Sequence, residues 1–339
     1  MKKLILIFAL FAFVWGYEDE EWETTTAIEN TSIYYYFNTN QTQPLYEKKH
    51  YLYNRFRTFL KINDLGYDDF DLSAKLEVDA TTFRDIETNT ALSSDKIDIY
   101  RGFVEYIDDT HQVVLGKQSI PLGVGKLYSP INVLNPIDAT SIEIDYRNTI
   151  TSLKYEYAIN ELSSAMAIYS TDAAALKYKT YLEFAEIGLV YIDNRISTTH
   201  QGIYGYELEM RLFESAYDFK SEGVYFQQDG EDNIQVMVGL DYGWDENLFT
   251  IEYLYDKNTD TNNSIAASLY AQFWSYWSVG LVNIYYFENK YDYIIPSISY
   301  GFSDENTIRV GASIAATADS SYSDKLLSDS YFVQLIFNF

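Results

Sequence analysis

The chain has 339 residues with 24 Lys and Arg against 50 Asp and Glu, which gives a formal net charge of −26 at pH 7. A balance this acidic excludes nucleic acid as a partner, because phosphate backbones require a positive surface. The absence of cysteine excludes disulfides and thiol chemistry, and 34 tyrosines raise the aromatic content to 17%, which is typical of proteins at membrane–water interfaces.

The beginning of the chain has the pattern of an export signal. Two lysines precede an apolar run over 4–14, and Gly16 supplies a small residue for cleavage. The run is too short to span a bilayer as a helix, although an uncleaved anchor is the alternative. We expect residues 1–16 to be a signal peptide, and loss of the two lysines changes the net charge from −26 to −28. Residues 17–339 then form the exported protein.

Segments with alternating apolar and polar side chains recur along the rest of the chain. The clearest is 70–81, and the pattern returns at 149–160, 202–213 and 234–242. Alternation gives a strand one apolar and one polar face, whereas no apolar stretch after the signal approaches the roughly 18 residues of a helical span. Because a closed barrel satisfies every backbone group in lipid, the pattern predicts an all-β transmembrane antiparallel barrel.

Short and long connections alternate between these segments, as in membrane barrels with short periplasmic turns and long outer loops. The eight predicted short turns lie near 63–68, 108–111, 160–161, 185–187, 214–217, 243–247, 274–277 and 302–306. Eight short turns join sixteen strands, and one more strand at each end makes 18. The alternation is weak at 160–175 and 184–192, so the predicted number is 16–18.

Charged side chains follow the polar faces of the predicted strands. Because a Lys or Arg on the lipid face costs about 2–4 kcal/mol at mid-membrane, we expect these side chains to point into the barrel. The predicted lining residues are Arg55, Arg57, Lys61, Lys75, Glu77, Asp79, Arg101, Glu105, Lys154, Glu156, Glu207, Glu209 and Arg211. They either line a water-filled pore or neutralise one another inside a filled barrel. A ring of about 18 strands is too wide to fill with side chains, which favours the pore.

Signals for catalysis or metal binding are weak. His50, His111 and His200 lie far apart without metal-ligand spacing. A barrel hydrolase would need a histidine and a nucleophile at one rim, and His200 beside Ser197 is the candidate pair. The acidic segment 256–263 is either a calcium site or a solvated loop. We predict no catalytic residue, no metal site and no cofactor.

The longest predicted outer loop, residues 121–147, is also the most proline-rich stretch, with Pro121, Pro130 and Pro136. Long ordered loops in compact proteins are usually functional. The three prolines restrict the backbone, which favours a defined loop shape.

The last segment, 330–339, alternates throughout and is predicted to pair with a first strand near 31–39. An apolar face that ends on an aromatic ring suits contact with lipid and its interface, and an ordinary buried edge strand is the alternative. The residues of this face are Tyr331, Val333, Leu335, Phe337 and Phe339.

The closing strand and the proline-rich loop resemble those of Gram-negative outer-membrane porins. The loop region contains Gly-Lys-Gln at 116–118 and Asn-Pro-Ile-Asp at 135–138, as in several porin families, with Leu-Gly at 122–123 where those families often have Trp-Gly. The resemblance implies a third outer loop folded into the lumen, a homotrimer in the outer membrane, and assembly machinery that reads Phe339. It also implies passive diffusion of small hydrophilic solutes.

An inward fold of 121–147 would bring its charges to the narrowest section of the barrel. We expect its acids to face Arg55, Arg57 and Arg101. The predicted constriction residues are Lys126, Asp138, Glu143 and Asp145. The acidic balance predicts weak cation selectivity. The alternatives are a barrel hydrolase, such as a phospholipase or protease, and a non-conducting adhesin or receptor barrel.

Overall fold

The computed structural model describes residues 23–37, 50–63, 70–142, 148–195, 201–212, 216–228, 231–257, 263–288, 290–303, 306–317 and 329–338. These ranges contain eighteen strands: β1 (Glu23–Phe37), β2 (His50–Asn63), β3 (Asp71–Asp85), β4 (Lys96–Ile107), β5 (His111–Gln118), β6 (Ile150–Asn160), β7 (Ser163–Ser170), β8 (Ala173–Leu182), β9 (Ala185–Asn194), β10 (Gln201–Leu212), β11 (Tyr217–Gln228), β12 (Glu231–Trp244), β13 (Asn247–Asp256), β14 (Ser264–Trp274), β15 (Trp277–Tyr286), β16 (Tyr291–Gly301), β17 (Thr307–Thr317) and β18 (Ser330–Asn338).

The strands form one closed antiparallel barrel, which confirms the predicted fold class. Each strand pairs with its neighbours in sequence, and β18 pairs with β1 to close the ring. The first strand begins earlier than predicted. Residues 23–30 are mostly polar on both faces, which hides the alternation. They are held by pairing with β2, in which Thr25 lies opposite Lys61 and Glu29 opposite Arg57.

The connections follow the predicted alternation of short and long, with two shifts. The regions with weak alternation form β7, β8 and β9, so the described residues contain 18 strands. The turn predicted near 185–187 lies at 183–184, and the outer connection between β7 and β8 is a tight turn at 171–172 where the alternation predicts a longer loop. The Ser170 hydroxyl accepts the N–H groups of Asp172 and Ala173 there, which replaces the partners that a longer loop would supply.

The two faces of the barrel differ in polarity in the sense expected in lipid. Large apolar side chains point outward and are well exposed, with Leu115 at 61%, Leu176 at 61% and Leu189 at 59%. On β18, Tyr331 is outward and 49% exposed, whereas Gln334 is inward and 2% exposed. Residue 339 lies outside the described residues. Within the described part of the chain, no helix is long and apolar enough to cross a bilayer.

A β-bulge in β4 breaks the alternation at the centre of the charged wall. Glu77 lies opposite Arg101 and Val78 opposite Ile99, so Tyr100 is the extra residue. A bulge places two successive side chains on the same face. Both Tyr100 and Arg101 therefore point into the barrel.

The outward face makes a direct prediction about lipid contact. Leu189→Arg, in the middle of β9, should lower the free energy of unfolding by about 2–4 kcal/mol, whereas Leu182→Arg, at the end of β8, should cost about 0–1 kcal/mol, because the penalty for a charge falls towards the interface. Urea titration of protein folded in lipid vesicles measures both values. Equal losses at the two positions would contradict a lipid-facing outer surface.

Candidate functional site

The connection between β5 and β6 turns into the barrel, which confirms the predicted inward fold of the third outer loop. The inner loop is defined as residues 119–142. Its side chains form one buried apolar cluster with the wall of β7 to β11: Ile120, Leu122, Ile131 and Leu134 from the loop, and Ile168, Ala173, Ala175, Val190, Ile192, Ile203 and Val224 from the wall. A Cβ at Gly205 of β10 would lie 3.2 Å from the Ile131 side chain, so loop and wall are in close contact.

A second apolar cluster attaches the inner loop to β1 and to β14, β15, β16 and β18. It contains Leu127 and Ala139 from the loop and Ile33, Ala266, Ile284, Tyr291, Tyr293, Ile295 and Phe332 from the wall. The inward apolar residue Phe332 of the closing strand, which is 2% exposed, thus belongs to the cluster that also contains loop residues. The two clusters together fix the loop against the part of the wall that runs from β7 through β18 to β1. The wall from β2 to β6 faces the loop from the other side.

Two buried asparagines shape the inner loop from within. Asn132 accepts the N–H of Leu122 at 3.2 Å, and Asn135 accepts the N–H of Ile120 at 2.5 Å. The Asn135 amide also donates to the carbonyl of Asn148, close to the start of β6. Buried N–H groups outside a sheet need such acceptors, so the Asn-Pro segment closes the loop at its base.

Glu222 of β11 receives the first turn of the loop backbone. Its carboxylate accepts the N–H groups of Val124 and Gly125, each at 2.5 Å, and the hydroxyl of Ser129 at 2.9 Å. Gly123 has φ +83°, and a Cβ there would lie 2.5 Å from a Glu222 oxygen. Glycine is therefore required for this close approach.

Glu252 of β13 receives the next turn. It accepts the N–H groups of Lys126, Leu127 and Tyr128 at distances of 2.7 to 2.9 Å. Asp241 of β12 binds the Lys126 ammonium at 2.9 Å. Glu222, Asp241 and Glu252 form what we term the loop anchor, in which buried carboxylates are compensated by charge-assisted hydrogen bonds.

On the facing wall, the predicted lining residues Arg55, Arg57 and Asp79 form structural ion pairs. Arg57 holds Asp79 through two bonds of 2.6 and 2.8 Å, and Arg55 holds Glu29 at 2.7 Å. Arg55 and Asp79 are 5% and 3% exposed. The Arg57 guanidinium also lies 3.9 Å from the centre of the Tyr100 ring, so these charges are held in place by their neighbours.

Elsewhere on the same wall, the basic side chains are not each matched by an acid of their own. Glu77 contacts Lys75 at 2.7 Å and Arg101 at 3.5 Å, so one carboxylate serves two cations. Lys154 lies 3.4 Å from Glu156. These bases are more exposed than Arg55.

The predicted lining residues of β10 differ in how deeply they are buried. Glu207 is 3% exposed and pairs with Lys177 at 2.7 Å. Glu209 lies 3.6 Å from Lys220, whose ammonium also contacts the loop anchor at Asp241. Arg211 lies near the barrel rim beside Asp218, and Lys61 is exposed near the end of β2.

A cavity of about 620 Å³ remains between the inner loop and the wall of β3 to β6. Its wall side is lined by Lys75, Arg101, Phe103, Glu105, Val114 and Lys154. Its loop side belongs to residues 119–125, which carry no charge. The cavity is therefore charged on one side only.

The structure bears on the predicted loop acids only in part. The Asp138 carboxylate accepts the N–H of Thr140 at 2.9 Å, and Lys126 is turned to Asp241 on the other side of the loop. Glu143 and Asp145 lie outside the described residues, as do Ser197, His200 and residues 258–262. An approach of the loop acids to the wall arginines stays a prediction.

The loop anchor was missed by the sequence reasoning. Glu222 and Glu252 lie on the inward faces of alternating strands, so their orientation was accessible from the pattern. Their partners are backbone N–H groups about a hundred residues away, and such partners leave no residue signature. The sequence signal that was present is the position of these acids on inward strand faces, in a barrel with a long loop that turns inward.

Comparisons with known proteins agree on the fold. No family model matches the chain, and no curated protein matches it. The crystal structure of OccAB1 from Acinetobacter baumannii aligns with a TM-score of 0.64 at 9% identity over 94% of this chain and 97% of that chain. A mutant Rh. blastica porin aligns with a TM-score of 0.57 at 9% identity over 94% and 100% of the two chains. The chain thus has the porin fold.

The loop anchor predicts slow amide exchange in the inner loop. Glu222→Gln and Glu252→Gln should speed exchange of the amides in 124–131 roughly ten- to a hundredfold, because hydrogen bonds to charged groups contribute about 1.5–3 kcal/mol. Hydrogen–deuterium exchange read by mass spectrometry measures this. Glu156→Gln, which removes a wall charge away from these amides, should leave their exchange unchanged. Unaltered protection in both anchor variants would show that apolar packing alone holds the loop.

Proposed function

We propose that this protein is a porin of the Gram-negative outer membrane, which lets small hydrophilic solutes and ions diffuse passively. The observation that carries the proposal is the cavity between an anchored inner loop and the charged wall of β3 to β6. The porin fold, shared with solved structures over 94% of the chain, supports it.

The physical argument is one of width and lining. An 18-stranded ring encloses more space than its inward side chains fill. The inner loop occupies the side of β7 to β1, where two apolar clusters hold it. The remaining passage is bounded by charged side chains and by loop backbone. In such a pore, diameter and charge determine what passes, and no cofactor is needed.

The proposed selectivity is a weak preference for cations. The whole chain carries −26, and acidic mouths raise the local concentration of cations. The bases Lys75, Arg101 and Lys154 in the cavity oppose this preference. Opposing contributions of this kind leave a small net preference.

The proposed setting is lipid on the outside and other copies of the chain alongside. The outward face is apolar, with exposed tyrosines such as Tyr169 and Tyr204, which suits the lipid boundary. We expect residues 1–16 to direct export, the assembly machinery to bind Phe339, and the barrels to form homotrimers. Chemical cross-linking of the protein in membranes would test the trimer, and a purely monomeric pattern would exclude it.

A barrel hydrolase and a non-conducting receptor barrel are not favoured by any observation. Among the described residues, His50 starts β2 at the outer end and His111 starts β5 at the other end, so they do not converge. No group of three potential metal ligands occurs in the described part of the chain. Purified protein that forms no conducting channel in a planar bilayer would exclude the porin proposal.

The inner loop is expected to limit conductance. Deletion of residues 126–140 should raise the single-channel conductance about twofold, because the barrel without this part of the loop is wider at its narrowest section. Single-channel recording of the purified variant measures the effect, and refolded barrel content confirms assembly. An assembled deletion variant with unaltered conductance would show that the loop does not limit the pore.

Ion selectivity is expected to be weak and dependent on salt. In a KCl gradient, the reversal potential should indicate a modest preference for K⁺, and the preference should shrink at high salt because mobile ions screen the mouths. A clear preference for Cl⁻ would contradict this expectation. It would assign the dominant charge of the pore to Lys75, Arg101 and Lys154.

The terminal aromatic residue is expected to act in assembly. Deletion of Phe339 should lower the amount of folded protein in the outer membrane, whereas Phe339→Tyr, which keeps the ring, should assemble normally. Heat-modifiable mobility of the outer-membrane fraction reports the folded amount. Equal levels in the deletion variant and the parent protein would refute a role for this ring.

A further inference from the structure

The cavity beside the inner loop has separated charges of both signs on a single wall. We infer that it is a binding subsite for small amphoteric solutes, which carry one carboxylate and one ammonium group, as amino acids and dipeptides do. The inference rests on the proposed pore and names the class of solute that the pore binds.

The positive half of the subsite is formed by Lys75 and Arg101. Both contact the same carboxylate, Glu77, which is 4% exposed and lies behind them. Two cations against one anion leave a positive surplus towards the cavity. Arg101 contacts Glu77 only at 3.5 Å, through Nη1, and its side chain is 28% exposed. Its Nε is buried, so the donors left for a carboxylate from solution are those of the two terminal nitrogens.

The negative half is Glu105, four residues further along β4. Its carboxylate accepts the Gln112 amide, and no ion pair with it occurs among the described residues. Lys75 lies opposite Phe103, which makes Glu105 its diagonal neighbour at about 7–8 Å between Cα atoms. An ammonium group and a carboxylate on one small solute can therefore reach both halves together.

Lys154 does not cancel this separation. It lies opposite Val114, and Val114 lies opposite Glu105, so a whole strand separates the two charged residues. Its ammonium is held 3.4 Å from Glu156. Glu105 thus remains open to an ammonium group, and Lys154 adds to the attraction for the carboxylate of a solute.

The rest of the cavity suits the short apolar part of such a solute. Phe103 and Val114 lie between the charged groups, and residues 119–125 of the loop face them without charge. A volume of about 620 Å³ lies within the range of small-molecule sites. A solute with a single charge forms an ion pair with one half of the subsite and leaves the other half without a partner. An amphoteric solute forms ion pairs with both halves.

The test is single-channel recording of the full-length protein with three solutes of similar size. Glycylglycine carries both charges, N-acetylglycine only the carboxylate, and glycylglycinamide only the ammonium group. Current interruptions by glycylglycine should last roughly fivefold longer than those by either of the others, since a second ion pair at a solvent-exposed site adds affinity of up to this order. Equal durations for the three solutes would overturn the inference.

Two variants test whether the charged wall causes the longer glycylglycine interruptions. Glu105→Gln should shorten the glycylglycine interruptions to those of N-acetylglycine. Glu161→Gln removes the same charge in the turn after β6 and should retain the difference. A difference that survives Glu105→Gln would also overturn the inference. If the Gln variant does not assemble, the comparison of solutes on the unaltered protein decides alone. Absence of any conductance would refute the proposed pore, whereas an open channel without solute discrimination refutes only the subsite.

Discussion

The architecture of the lumen depends on how a long loop satisfies its backbone hydrogen bonds inside a barrel. A loop withdrawn from bulk water must find acceptors for its N–H groups. Glu222 and Glu252 provide them, with three N–H donors at 2.7 to 2.9 Å on Glu252 alone. Each carboxylate is buried, so loop and acid compensate one another: neither would be stable there without its partner.

This anchorage makes the lumen asymmetric. The loop lies against β7 to β1, where apolar clusters and the anchor hold it, and the open space is displaced to β3 to β6. The charges of the open wall thus face uncharged loop backbone. Arg55 and Arg57 are held in tight ion pairs, whereas Lys75 and Arg101 share one acid. We therefore expect the pore to distinguish solutes by charges that follow one another along this wall, and less by charges on opposite sides of the passage.

Strand alternation made the fold predictable, because a period of two with one apolar face fixes both the elements and their orientation. It failed at residues 23–30, which are mostly polar on both faces, and at Tyr100, where a bulge shifts the period. The candidate site was less accessible. Alternation assigns a face to Glu207 but not its burial beside Lys177, and contacts from Glu222 to loop backbone have no sequence pattern.

The central claim is that the inner loop covers one wall and leaves the other open, and thiol accessibility tests it most directly because the chain has no cysteine. Lys75→Cys places a thiol in the cavity, whereas Thr250→Cys places one beside Asp241 behind the loop, where Thr250 is 0% exposed. A water-soluble methanethiosulfonate reagent should change the single-channel current of the Lys75→Cys protein and leave the Thr250→Cys protein unmodified. Rapid modification at position 250, or none at position 75, would contradict the arrangement.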